Sequence, residues 1–234
     1  MTSTGPLLAK PSLIEKPATV GNRVFGIIRQ AIVQLQLKPG DPLSEAEMAR
    51  QLGVSRQPVR EAFIKLAEVG LVEIRPQRGT SVVMISLRDV ENARFIREAL
   101  EVAVVHRASE VITDEHRKRI EAILDAQRAA NTRGDLAEFL RQDEAFHQAI
   151  AQAADCEKAW RLLENLKAQM DRVRYLSLDE ATPVDVLIEQ HASIADGIFA
   201  GDAEAAEDAM KAHLREILTS LPLLAEKHPD LFTA

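Results

Sequence analysis

The chain has 234 residues, 29 Lys and Arg against 36 Asp and Glu, and a formal net charge of -7. Hydrophobic residues make up 46% and charged residues 28%, a globular composition that argues against disorder. One cysteine, Cys156, excludes an internal disulfide framework and a multi-cysteine zinc site, and no apolar run approaches the ~20 residues that span a bilayer.

Residues 1–20 lack a hydrophobic signal core, so the cytoplasm is the expected location and no membrane partner is expected. Taken whole, the acidic balance speaks against nucleic acid. That average conceals two unlike halves: residues 20–85 hold nine basic and six acidic side chains, whereas residues 86–234 hold 18 and 29. A basic segment followed by a long acidic one suggests two domains with different partners.

Residues 1–19 carry three prolines and no helical periodicity, and are expected to form a flexible tail. From Val20 the apolar residues Val24, Ile27, Ile28, Ala31, Ile32 and Leu35 share one helical face, which the run Lys38-Pro39-Gly40-Asp41-Pro42 terminates. Ser44 and Glu47 have the spacing of a capping box and open a short helix to about Leu52. After Gly53, Ser55 is placed to cap a third helix with Pro58 in its first turn and Val59, Ala62, Phe63 and Leu66 on one face. Two β-like runs follow, Leu71–Ile74 and Thr80–Ile85, joined by Arg75-Pro76-Gln77-Arg78-Gly79. Three helices and a hairpin in this order are the layout of a winged helix-turn-helix over residues 20–85.

From residue 86 the pattern is almost wholly helical, with six helices expected near 89–111, 114–133, 136–153, 156–178, 183–200 and 203–221. They form an all-α six-helix bundle over 86–222, with a tail at 223–234, so the fold is expected to be mainly α in two domains.

Arg56, Gln57 and Arg60 fall in the first turns of the third helix, and Arg56 and Arg60, four apart, share a face away from the apolar one. Arginine is the commonest bidentate reader of guanine, and Gln57 suits adenine or a phosphate. Arg78-Gly79 stands at the hairpin tip, where glycine lets the backbone approach a sugar-phosphate chain closely. The competing reading is a set of solvated arginines paired with Glu61 or Glu73.

Four polar residues of the helical half occupy positions in apolar stripes. The series Leu136, Leu140, Asp143, His147, Ile150 has 4-3-4-3 spacing; His191 stands among Leu187, Ile194 and Ile198, and His213 among Ala206, Met210 and Ile217. One aspartate and three histidines therefore face inward from three helices, and a buried carboxylate must be neutralised or coordinated. Imidazole plus carboxylate suits a divalent metal ion, zinc foremost, with nickel, manganese or iron as alternatives. The competing reading is a set of hydrogen-bonded core histidines. His106, His116 and His228 show no such convergence.

Two sets of residues carry a resemblance. The string Ser44-Glu-Ala-Glu-Met-Ala-Arg-Gln-Leu-Gly-Val-Ser-Arg-Gln-Pro-Val-Arg-Glu-Ala62, then Leu66, Gly70-Leu71-Val72 and Arg78-Gly79-Thr80, resembles the GntR family of bacterial transcription regulators. The resemblance implies base contacts from Arg56 and Arg60, with Ser55, Gln57, Arg78 and Gly79 at phosphates or the minor groove. Fatty-acid-responsive members carry an arginine at the position of Ala46, so that DNA contact is missing and their operator cannot be carried over. Asp143-Glu-Ala-Phe-His147, His191-Ala-Ser-Ile194, Gly201-Asp202-Ala203-Glu-Ala205 and His213-Leu214 resemble the FCD effector domain of the FadR-type subfamily. In its metal-containing members these four positions bind a divalent ion that helps to hold a small carboxylate effector. Arg97-Glu98-Ala99-Leu100-Glu101 matches that domain's opening helix, whose arginine often faces the ligand; the alternative for Arg97 is a surface salt bridge to Glu101. Six helices suit the shorter, VanR-like variant. The expectation is a homodimeric, ligand-responsive regulator, first of all a repressor, on a palindromic double-stranded operator, and not an enzyme. The alternatives are a metal-dependent hydrolase or lyase fused to a DNA-binding module, and a purely structural metal.

Overall fold

Thr19, whose hydroxyl accepts from the Asn22 N–H at 3.3 Å, caps α1 (Val20–Val33) in the computed structural model, which describes residues 19–233. The rest of the expected flexible tail lies outside the described residues. Two compact units result: one runs to Leu87 and takes in the chain from His228 onward, and the other is Arg88–Lys227.

In the first unit, Val24, Ile28, Ala31 and Ile32 of α1 are buried, as are Val59, Ala62, Phe63 and Leu66 of α3 (Arg56–Glu68), and the two helices pack together. Helix α1 ends at Val33, before the prolines, and Leu35 just beyond it takes a left-handed φ of 56°; Leu37, two residues on, is the side chain buried there. Ser44 caps α2 (Glu45–Leu52) by accepting from Glu47 N at 3.4 Å. The reciprocal half of the expected capping box is not made, because the Glu47 carboxylate turns to Arg50 and Gln51. The wing is a three-stranded antiparallel sheet in the order β1 (Pro42–Leu43), β3 (Gly79–Val82), β2 (Val72–Arg75); the short first strand was not legible beside two prolines. At its tip Gly79 has φ +90°, a value that disfavours any side chain.

The second unit holds seven helical segments rather than six: α4 (Leu87–Val111), α5 (Asp114–Thr132), α6 (Leu136–Ala153), α7 (Glu157–Leu166), α8 (Ala168–Glu180), α9 (Val184–Ala200) and α10 (Ala203–Lys227). The extra division is a bend at Lys167, across which helical hydrogen bonding continues. The Lys167 side chain is buried and pairs with Glu144 and Asp171, a tie that apolar periodicity does not register. Capping chemistry sets the other turns: Thr113 before α5, Asp135 before α6 and Asp202 before α10 each accept an N–H three residues on. The main core joins Val105, Ile120, Phe146, Ile150, Ile194 and Met210 from five helices.

Helix α10 continues through Pro222 to Lys227, past the expected end at 221. The carbonyl that loses its partner there belongs to Leu218, which is exposed, while Leu221 and Leu224 stay buried on the inner side. Nor is the remainder of the expected 223–234 tail free of structure. Leu231 and Phe232 are buried, and β5 (Phe232–Thr233) pairs in parallel with β4 (Ile85–Ser86) in the first unit.

Candidate metal centre and DNA-reading surface

The 4-3-4-3 stripe of α6 points Asp143 and His147 inward, and α9 and α10 add His191 and His213; the four are 0%, 2%, 0% and 6% exposed. One donor atom from each lies within 4.8 Å of the others. The His213 Nε2 is 3.2 Å from His147 Nε2 and 3.3 Å from His191 Nε2, and His191 Nε2 is 3.5 Å from Asp143 Oδ1. Phe146 stacks on His191 with ring centroids 4.5 Å apart and closes one side.

The opposite nitrogens determine the protonation. His191 Nδ1 lies 2.9 Å from Gln127 Oε1, and the Gln127 amide nitrogen donates to the Gln142 carbonyl, so the oxygen must face the imidazole. His213 Nδ1 lies 2.9 Å from Gln190 Oε1, whose amide nitrogen donates to Glu216. His147 Nδ1 lies 2.5 Å from Glu101 Oε2. On His191 and His213 the Nδ1 therefore meets an amide oxygen and carries the hydrogen, which leaves their converging Nε2 atoms with lone pairs, while His147 Nδ1 faces a carboxylate. Burial pushes His191 down to about 3 and His213 well below its usual value, with neighbouring imidazoles adding to the effect, so both are neutral.

The carboxylate completes the set. Burial by itself would push Asp143 up, but the Arg174 guanidinium beside it outweighs this and holds the group ionised. Arg174 pairs with it, yet neither Asp143 oxygen accepts a well-formed hydrogen bond from a described residue. Facing lone pairs beside an anion repel one another unless a cation lies between them. Tetrahedral donors at ~2.0–2.1 Å from an ion stand roughly 3.3–3.4 Å apart, close to the two nitrogen separations here. The residues present thus suit a divalent ion.

Arg97 is not at the surface. It is 4% exposed and does pair with Glu101 one turn on, but the pair is buried, and its Nη2 has no hydrogen-bond partner among the described residues. A pocket is lined by Arg97, Arg174, Ser177, Thr182, His213 and Glu216, among others, so Arg97 and a metal-ligating candidate share its wall. Burial would raise Glu101, but Arg97 and His147 overcome it and hold its carboxyl at about 2. His106 is exposed and pairs with Glu207, His116 hydrogen-bonds Thr113, and neither joins the centre.

Glu101, Gln127, Gln190 and Arg174 were not singled out from the sequence. Gln127 left a signal, since it follows Ile120, Ile123 and Leu124 on the buried face of α5. Gln190 and Arg174 left none: the first merely precedes His191, and the second lies on α8, where buried residues occur on several faces.

In the first unit, Ser55, Arg56, Gln57 and Arg60 are all exposed at the start of α3, and Arg78 and Gly79 are exposed at the wing tip. Ser55 has the extended backbone of an N-cap but makes no capping bond, so its hydroxyl and the first amides of α3 are available to an anion. Gln57 donates to Glu61 at 3.0 Å. Arg60 is paired with neither Glu61 nor Glu73 but with Glu45 of α2.

Comparison with known proteins agrees with both units. Residues 21–82 match the gntR family of bacterial regulatory proteins, and residues 93–216 match the FCD domain. The HTH-type transcriptional repressor RspR of Escherichia coli K12 is 46% identical over 214 residues, covering 92% of this chain and 94% of that protein. The HTH-type transcriptional regulator LutR of Bacillus subtilis is 31% identical over 203 residues, covering 78% and 92%. Among solved structures, a GntR regulator from Rhodococcus sp. RHA1 superposes with a TM-score of 0.73 at 28% identity, covering 86% of this chain and 97% of that one. Escherichia coli McbR/YncC shares the fold, with a TM-score of 0.76 at 22% identity and coverage of 90% and 99%. The chain therefore belongs to the GntR family of bacterial transcriptional regulators, with an FCD domain behind its helix-turn-helix, and its role is regulation rather than catalysis.

Proposed function

We propose that the protein is a metabolite-responsive repressor acting in the cytoplasm as a homodimer on a palindromic operator. Its FCD domain holds a divalent metal ion, zinc foremost, through Asp143, His147, His191 and His213, and a small organic acid through Arg97. The observation that carries the reading is the convergence of three histidines on an ionised, buried Asp143, with the lone pairs of His191 and His213 turned inward by their glutamine partners. The bound ion would supply positive charge to the pocket, and the Arg97 guanidinium, with Nη2 free of hydrogen bonds, would take a carboxylate bidentately. On DNA, Arg56 and Arg60 read base edges, while Ser55, Gln57, Arg78 and Gly79 meet phosphates or the minor groove. The 46% identity to a named repressor supports the sign of regulation.

Three measurements test the reading. Elemental analysis of the purified protein should find one divalent ion per chain, and His191→Ala should lower it; full occupancy in the variant would exclude this ligand set. Thermal shifts with a panel of carboxylates, with and without chelator, should reveal an acid whose stabilisation depends on metal. A gel-shift series with Arg60→Ala should show loss of operator discrimination, and unchanged preference would remove α3 from base reading.

A further inference from the structure

Arg60 and Glu45 form a two-point contact between neighbouring helices. Arg60 Nε donates to Glu45 Oε1 at 3.0 Å, and Nη2 donates to Oε2 at 2.9 Å. Glu45 is the first residue of α2, whose start is set by the Ser44 cap, and Arg60 lies in the second turn of α3, against which α2 packs. The side chains are 59% and 31% exposed, so as a contribution to stability the pair is worth little. Its geometry matters more than its energy.

A guanidinium has five N–H donors in a rigid planar fork. Glu45 engages the side edge, using the one hydrogen on Nε and one of the two on Nη2. The end edge, formed by Nη1 and the second hydrogen of Nη2, is left intact, and that edge is the one that pairs with guanine O6 and N7. We infer that Glu45 is a positioning residue for DNA reading: it holds Arg60 in one plane so that its end edge is presented to a guanine. This rests on the reading of Arg60 as a base contact. An unrestrained arginine loses rotamer freedom on being ordered, and fixing it in the free protein moves that loss ahead of binding. Glu45 also carries a negative charge on the DNA-facing side, which opposes phosphate contact regardless of sequence. The two roles pull in opposite directions, and this separates positioning from a bystander charge.

The test uses the full-length protein and a randomised duplex library, from which preferred sites are selected for the wild type, Arg60→Ala, Glu45→Gln and the double variant. A duplex of unrelated sequence measures non-specific binding. Arg60→Ala should erase preference for guanine at one base pair of each half-site. Glu45→Gln should lose about tenfold of discrimination at that same base pair, within the range a bidentate contact supplies. It should bind the unrelated duplex as tightly as the wild type or more tightly. The double variant should discriminate no worse than Arg60→Ala alone. If Glu45→Gln keeps the guanine preference within about twofold while Arg60→Ala loses it, Glu45 is a bystander and the inference fails on its own. If Arg60→Ala itself keeps the preference, the assignment of the base contact fails and takes the inference with it.

Discussion

Glu101→Gln separates two jobs that one carboxylate performs. Glu101 receives Arg97 on one oxygen and faces His147 Nδ1 with the other, and all three side chains are almost wholly buried. The variant keeps the shape and removes the charge. Arg97 is then a buried cation without its counterion, and breaking such a pair from one side destabilises by about 3–5 kcal/mol. For a unit of this size that lowers the melting temperature by about 10 °C in the presence of chelator. The other job is orientation of His147, and loss of such an outer partner reduces metal affinity about 10–100-fold. Calorimetric melting in chelator and zinc competition against a chromophoric chelator read the two effects separately. Replacing both partners, Arg97→Leu with Glu101→Leu, should restore much of the stability while leaving zinc affinity low, because an apolar pair can substitute for a buried ion pair but cannot orient an imidazole. Zinc affinity in Glu101→Gln within twofold of wild type would refute the role given to Glu101.

Gly197→Ala should disturb the centre from outside it. The new Cβ would lie 2.7 Å from the Ala206 backbone nitrogen and 2.8 Å from its Cα, so α9 and α10 must separate; a stability loss of about 1–3 kcal/mol and weaker zinc binding should appear together. In wild-type protein, zinc at about 100 times its Kd should raise the melting temperature by roughly 5–10 °C over chelator, corresponding to about 2.7 kcal/mol, and Asp143→Asn should abolish most of that difference. Truncation after Lys227 removes Leu231 and Phe232, each worth about 1.5–3 kcal/mol when buried, together with the carbonyl that accepts from Ile85 N at 2.8 Å. Hydrogen exchange at Ile85 should quicken markedly; unchanged protection would mean that β5 contributes nothing there.

What could be read from the sequence divides along physical lines. The inward Asp143, His147, His191 and His213 were legible because each interrupts an apolar stripe whose period is that of a helix, and the structure brings the four together. Features that depend on a partner far along the chain were not legible. Arg97 and Glu101, four apart, have the spacing of a surface pair, and only the packing of α6 against them makes the pair buried. At the bend at Lys167 a buried ammonium pairs with Glu144 on another helix, and apolar spacing does not register such a pair. Pro222 suggested a helix end, but the carbonyl it leaves unpaired is on the exposed side and the buried leucines around it continue. Arg60 had nearby acids in sequence, and its partner turned out to be 15 residues away, on a helix whose start Ser44 sets.

The outer partners of the histidines also connect the four-residue centre to the pocket. From His147, Glu101 leads to Arg97; from His213, Gln190 leads to Glu216; and both Arg97 and Glu216 line the pocket. Each chain runs from the nitrogen opposite a converging Nε2 to a charged group that a bound acid would meet. On the proposed reading, a carboxylate on Arg97 draws that guanidinium toward itself and leaves more of the Glu101 charge for His147 Nδ1–H, which makes Nε2 the stronger donor to a cation. The acid should therefore tighten the ion, and by reciprocity the ion should tighten the acid by the same factor. Helix α4, which carries Arg97 and Glu101, begins directly after β4, and the far end of α10 leads into β5. Strands β4 and β5 pair with one another in parallel within the first unit.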